Sequence, residues 1–176
     1  MFTKVCIIGC GLIGSSLARA IKKNGLSNQI VSSNRSDSVN KKVIELKIVD
    51  DSSSDTKKMA DGSDLIIIAT PLSSYESVIL KIKDSLKNGT ILTDVGSVKE
   101  NVISLVEKAV PENVSWISSH PIAGTEESGP DAGFSELFQN RWCILTPSKK
   151  AKEKDVKLLE TFWKKIGSKV DIMDAK

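Results

Sequence analysis

Apolar residues enter this chain in two alternating rhythms. Val5-Cys6-Ile7-Ile8 is a short unbroken run rich in β-branched side chains and closed by glycine, the pattern of a strand covered on both faces of a parallel sheet. From Ile13 the apolar positions fall at Ile13, Leu17, Ala20 and Ile21, one stripe of a helix, and Asn24-Gly25 supplies its stop. Gln29 to Ser33 reads as a second strand. Leu65-Ile66-Ile67-Ile68-Ala69 is the strongest strand signal, and Thr70-Pro71 ends it because proline brings no amide hydrogen to a central ladder. Tyr75, Val78, Ile79, Ile82 and Leu86 make the next helical face. Thr90 to Thr93 returns as a strand, Val98 to Val110 as a helix, and Val114 to Ser119 as a strand before a loop rich in Gly and Pro. The tail predicts a strand at Trp142 to Leu145, a helix from about Lys152 to Ile166, and a last strand near Val170 to Met173. Ser52-Ser53-Ser54 and Ser148-Lys149-Lys150 read as exposed loops.

Strand and helix alternate with short connections. That predicts an α/β fold: a doubly wound, mostly parallel sheet of the Rossmann type, with helices on both faces, right-handed crossovers and one domain over residues 1–176. The composition agrees, with 176 residues of which 40% are hydrophobic and 27% charged, the balance of a soluble globular domain. A net charge of +3 is too small to mark a nucleic-acid or membrane surface, and no apolar stretch approaches the roughly 18 residues of a membrane span. The first apolar run resembles a secretory signal only until Gly9, Gly11 and Gly14 interrupt it and Arg19, Lys22 and Lys23 follow. Cys6, Cys10 and Cys143 are odd in number and lack paired metal spacing, and His120, the single histidine, cannot complete a zinc site with them. The expectation is reduced thiols, no metal and a cytoplasmic location.

The chemistry gathers at the predicted carboxyl ends of the strands. Gly9-Cys10-Gly11-Leu12-Ile13-Gly14 matches G-x-G-x-x-G directly after a strand and at the opening of a helix, where the pyrophosphate of a dinucleotide meets free amide hydrogens. Glycines also mark ordinary turns; the strand-turn-helix setting favours the dinucleotide, with Gly9, Gly11, Leu12, Ile13 and Gly14 as its cradle. At the end of the second strand an acid usually holds the ribose 2′-hydroxyl of NAD. Here the position carries Asn34, followed by Arg35 and Ser36. An amide beside a guanidinium suits a 2′-phosphate, so NADP is the expected cofactor and NAD the alternative; the bland reading of Arg35 is a solvated loop side chain. Thr70 and Pro71 stand at the next strand end as an expected wall of the nicotinamide pocket. Ser97, in Asp94-Val95-Gly96-Ser97, stands at a further strand end, where a helix N-cap is its ordinary role. His120 ends a later strand, and an imidazole with an unperturbed pKa of about 6.5 is a natural acceptor for a hydroxyl proton near neutral pH.

Taken together, Gly9 to Ser15, the run from Asp94 to Lys99, His120-Pro121-Ile122-Ala123-Gly124-Thr125-Glu126, and the segment from Ser128 through Asn140-Arg141-Trp142 to Pro147 resemble the amino-terminal domain of prephenate and arogenate dehydrogenases, also called cyclohexadienyl dehydrogenases. The resemblance covers nearly the whole chain. It implies NAD(P)-dependent oxidative decarboxylation of prephenate or arogenate in tyrosine biosynthesis. His120 would take the proton of the ring hydroxyl as hydride leaves the same carbon, Ser97 would align the histidine, the hydroxyl and the nicotinamide, and Thr125 and Glu126 would line the substrate side. The family continues into a helical domain that forms a homodimer and supplies arginine to the substrate, and the chain stops before it; of its three arginines, Arg19, Arg35 and Arg141, few remain to clamp a dicarboxylate. The expectation is a chain that binds cofactor and turns over poorly alone. Two other readings are a Rossmann reductase of the β-hydroxyacid dehydrogenase type and a cofactor-binding fragment without activity.

Overall fold

The unbroken apolar runs become the centre of one sheet, because a strand flanked by neighbours on both sides and helices on both faces has no polar side to offer. The computed structural model describes residues 1–97 and 100–173, without the side chains of 100–103 and 105. Along the chain run β1 (Phe2–Ile8), α1 (Leu12–Lys23), β2 (Ser27–Ser33), α2 (Asp37–Glu45), β3 (Asp51–Ser53), α3 (Thr56–Ala60), β4 (Leu65–Ile68), α4 (Tyr75–Ile82), β5 (Ile91–Asp94), α5 (Glu100–Ala109), β6 (Ser115–Pro121), β7 (Trp142–Pro147), α6 (Glu153–Ile166) and β8 (Lys169–Ile172). Among the described residues the strands form a single sheet in the order β3-β2-β1-β4-β5-β6-β7-β8. Strands β1 to β6 are parallel, β7 is antiparallel to β6, and β8 is parallel to β7.

The pleat divides the core by a period of two. Val5, Ile7, Leu65, Ile67, Ile91 and Ile117 face α1 and α6, with Leu17, Ile21, Phe162 and Trp163 packed against them. Cys6, Ile8, Ile66, Ile68, Leu92 and Trp116 face the opposite layer, with Met59, Tyr75, Ile79, Ile82 and Val106. The sheet is therefore doubly wound, and the carboxyl ends of β1, β4, β5 and β6 share one edge. Chain order reverses between β1 and β4, where open α/β sheets bind ligands. No described helix is long and apolar enough to cross a membrane.

The expected alternation differs from the observed fold between Asn34 and Asp64, where α2, β3 and α3 were not expected, in the connection after β6, and at Ser148. Ser52 and Ser53 belong to the short edge strand β3, paired in parallel with β2, and not to a loop; serine hydroxyls satisfy each other there, with Ser32 Oγ 2.7 Å from Ser52 Oγ. The connection from β6 to β7 contains no crossover helix, so β7 reverses direction. Residues 122–141 instead fold back over α1, where the Phe134 amide donates to Ser16 Oγ at 3.1 Å and Arg19 Nη2 donates to the Pro130 carbonyl at 3.0 Å. Ser148, expected in an exposed loop, is buried, while Lys149 and Lys150 are exposed.

Candidate active site

The glycine turn is shaped by contacts that differ at each glycine. Gly9 adopts φ +96°, and a Cβ there would lie 2.9 Å from the Ala69 carbonyl oxygen; the positive φ and the close approach of β4 both exclude a side chain. A Cβ on Gly14 would fall 1.9 Å from the Gly9 carbonyl oxygen, so this glycine lets α1 cross close over the turn. Gly11 is different. Its φ is −74°, it is exposed, and a Cβ would meet no protein atom within 4 Å. Nothing in the protein demands glycine at that point, which leaves space for an outside group.

That space opens onto the amino end of α1. Gly11 is the N-cap residue and offers no side-chain cap, and the first turn carries no acid, so the amide hydrogens of Leu12 and Ile13 face an unopposed positive end of the helix dipole. Leu12 and Ile13 are half-buried and pack against the core. This arrangement fits a pyrophosphate.

On the β2 side the polar residues are already engaged with one another. Asn34 Oδ1 accepts from the Cys10 amide at 2.6 Å, and its Nδ2 donates to Asn40 Oδ1 at 3.0 Å. The Asn40 side-chain amide in turn donates to the Asn34 carbonyl at 2.9 Å. Asn34 thus ties the glycine turn to β2, while Arg35 and Ser36 are exposed beyond it, with Ser36 Oγ 2.7 Å from Ser38 Oγ at the start of α2. Asn40, absent from the sequence reading, and Ser52, expected in an exposed loop, complete this cluster. The pairing Asn34-x5-Asn40 was visible in the sequence, but only the fold brings Ser52 beside it.

Across the switch point lie the remaining residues. Thr70 Oγ1 accepts from Ser74 Oγ at 2.7 Å, and its methyl group abuts Gly9, so Thr70 borders the glycine turn directly, and Pro71 follows it, exposed. Ser97 is exposed just past the end of β5; Val98 and Lys99 of the same motif lie outside the described residues. His120 is half-buried near the end of β6, opposite Ile144 of β7. It shares the carboxyl edge with the glycine turn, three strand spacings or roughly 14 Å from β1. Thr125 and Glu126 are exposed in the loop that follows, where the Thr125 hydroxyl accepts from the Glu127 amide at 3.2 Å.

Beneath His120 is a polar junction that sequence reasoning did not assign. Asp94, fully buried, accepts from the Tyr75 hydroxyl at 3.0 Å, the Gly96 amide at 3.0 Å, the Ser118 hydroxyl at 2.5 Å and the Ser119 amide at 3.2 Å. Burial, joined by the charge of Asp94, pushes the Tyr75 hydroxyl far above the ordinary phenol range, so it remains a donor. An acid closing the apolar run Ile91-Leu92-Thr93 was the available signal.

The buried thiols are not part of this chemistry. Burial pushes Cys6 up to about 12 and Cys10 up to about 11, so both are protonated near neutral pH and inert as nucleophiles. Their folded-state values lie above the unfolded ones, so their contribution to stability is complete below about pH 9 and is lost as pH rises toward 11 and 12. Each thiol then costs about 1.4 kcal/mol per pH unit over that window. Denaturant unfolding at pH 8 and pH 10.5 should show a loss of a few kcal/mol at the higher pH; equal stabilities would contradict the burial of these thiols. Among the described residues no cluster of His, Cys, Asp and Glu could hold a metal ion.

Residues 17–172 match the family model described as prephenate dehydrogenase, nucleotide-binding domain. The chain is 34% identical over 175 residues to a cyclohexadienyl dehydrogenase of Zymomonas mobilis, covering 99% of this chain and 59% of that protein. It is 35% identical to a prephenate dehydrogenase of Lactococcus lactis, covering 98% of this chain and 47% of the relative. A crystal structure of prephenate dehydrogenase from A. aeolicus, in complex with hydroxyphenyl propionate and NAD+, superimposes with a TM-score of 0.93 at 28% identity, over 99% of this chain and 61% of that one. The chain spans about half the length of the curated relatives it matches.

Proposed function

The chain belongs to the prephenate dehydrogenase family as a nucleotide-binding domain, and from that premise we propose that it holds the cofactor and the proton acceptor for oxidative decarboxylation of prephenate or arogenate. The observation that carries this reading is the position of His120 near the carboxyl end of β6, on the same sheet edge as the open face of Gly11. A dinucleotide whose phosphates rest on Gly11, Leu12 and Ile13 has its adenosine half over β2 and its other half over β4 to β6. When bound, the nucleotide would supply an oxidised nicotinamide as acceptor for the hydride of the hydroxyl-bearing ring carbon of the substrate.

His120 takes the hydroxyl proton as that carbon becomes a carbonyl. It holds the proton while the ring carboxylate departs as carbon dioxide, and returns it to the phenolate oxygen once the ring is aromatic. The products are 4-hydroxyphenylpyruvate from prephenate or tyrosine from arogenate. Ser97, at the neighbouring strand end, aligns the hydroxyl with the imidazole. Thr70 and Pro71 wall the nicotinamide side, and Thr125 and Glu126 face the substrate from the loop after His120.

The preferred nucleotide is NADP. Asn34 spends its side chain on the Cys10 amide and Asn40, so the group left at the ribose is the exposed guanidinium of Arg35, with Ser36 beside it. A charged hydrogen bond to phosphate is worth about 1.5–3 kcal/mol. Arg35→Ala should therefore weaken NADP roughly 10- to 100-fold and leave NAD affinity unchanged in a fluorescence titration. Tighter binding of NAD than NADP by the native chain would overturn the NADP assignment. Production of reduced nicotinamide from prephenate or arogenate, followed by absorbance, tests the reaction itself; nucleotide binding with neither substrate oxidised in the presence of the family's remaining length would refute it.

A further inference from the structure

We propose that Asp94 is the positioning residue of the proton-transfer site: one buried carboxylate fixes the distance between the loop that carries Ser97 and the strand that carries His120. The proposal rests on the reading of His120 as proton acceptor. Its starting point is a parting of strands. The β4–β5 ladder continues to Ile68 opposite Asp94, whereas β5 and β6 are paired at Ile91 with Ser115 and Leu92 with Trp116. Two residues further on, the Asp94 side chain takes over the connection, reaching the Ser118 hydroxyl and the Ser119 amide with Oδ1.

The other carboxylate oxygen faces the opposite flank. Oδ2 accepts from the Gly96 amide, one residue before Ser97, and from the hydroxyl of Tyr75, the first residue of α4. A carboxylate offers about four acceptor positions and no donor, and these four groups are all donors. By the pleat, Ser118 and His120 project to the same face of β6 as Asp94 does on β5. On the other face β6 is pinned separately, with Ser119 Oγ 2.7 Å from Thr93 Oγ1 and accepting from Trp163 Nε1 at 3.3 Å. The strand end that carries the imidazole is thus held from both sides across a gap that backbone pairing has left open. A proton acceptor needs that precision, because displacement of a reacting group by an ångström can cost 100-fold in rate.

The test compares Asp94→Asn, Tyr75→Phe and Ser118→Ala in protein that turns substrate over. Asparagine keeps the shape but directs N–H groups at donors. Nucleotide affinity is read by fluorescence, kcat and KM separately by steady-state kinetics, and His120 by proton NMR of the 176-residue chain itself, whose single histidine gives unambiguous ring signals. Asp94→Asn is expected to lower kcat roughly 10- to 100-fold with nucleotide Kd and substrate KM within about twofold. Its ring signals move and broaden, and the shift induced by nucleotide in the native chain is lost. Tyr75→Phe and Ser118→Ala change the same readouts in the same direction by less, and they carry the test if Asp94→Asn does not fold. Unchanged kcat and unchanged ring signals in the folded variants overturn the proposal, as does a fall of nucleotide affinity in step with kcat. Full turnover by His120→Asn would instead remove the proton-acceptor reading, and this proposal with it.

Discussion

Gly14→Ala should cost the chain about 2 kcal/mol or more of stability, while Gly11→Ala, three residues earlier, should leave the fold nearly intact and weaken nucleotide binding at least about tenfold. At Gly14 the added methyl group would lie 1.9 Å from the Gly9 carbonyl oxygen, so α1 or the turn must move. Overpacking of this kind reaches about 3 kcal/mol, against a gain in helix propensity of only about 1 kcal/mol for replacing glycine by alanine. The clash wins, and the melting temperature should fall by roughly 4–8 °C for a domain of this size. At Gly11 the methyl group meets nothing within 4 Å, and the loss of a glycine N-cap costs under about 1 kcal/mol. The same methyl group stands in the space proposed for the phosphates, so nucleotide affinity should drop by at least about tenfold. Thermal unfolding and nucleotide titration of both variants separate the two effects. Equal nucleotide affinity for Gly11→Ala and the native chain would mean that the phosphates bind elsewhere.

The second large effect is expected at His120. Replacing it by asparagine keeps polarity and much of the volume but removes the proposed proton acceptor. General base catalysis contributes about 100- to 10,000-fold, so kcat should fall by that order while nucleotide Kd stays constant. In native protein kcat/KM should rise with pH as the imidazole loses its proton, because only the neutral ring accepts one, and the His120→Asn variant should lack that limb. Turnover at the native rate, or an unchanged acid limb in the variant, would remove His120 from the mechanism.

Much of this architecture was legible before any coordinates. Buried parallel strands must be apolar on both faces, so Val5 to Ile8 and Leu65 to Ile68 announced themselves, and the strand ends placed Gly9, Thr70, Ser97 and His120 on one edge. The chain between Asn34 and Asp64 was not legible. There α2 buries only Asn40 and Val43, and β3 is three polar residues long, so no periodicity of two or 3.6 rises above the background. The direction of β7 was hidden for a related reason: residues 122–141 pair their backbone in short turns and with Ser16, Arg19, Trp142 and Gly167, and lack a helical stripe of their own. Side-chain partnerships were the least accessible. Sequence reading set Asn34 at the ribose as a polar residue of the right spacing, and the fold joins it to the Cys10 amide and Asn40. Asp94 was read as part of a motif, yet the four donors described around it come from three separated stretches of chain, and no local pattern encodes that meeting.

In the proposed reaction the imidazole and the nicotinamide face a common substrate across the carboxyl edge of the sheet. NMR of the chain saturated with NADP and 4-hydroxyphenylpyruvate, the proposed product from prephenate, measures this directly. Magnetisation transfer is expected from the aromatic protons of the ligand both to the ring of His120 and to the nicotinamide. Transfer to the nicotinamide with none to His120, while the amides of Gly11 and Leu12 report bound nucleotide, would contradict that arrangement.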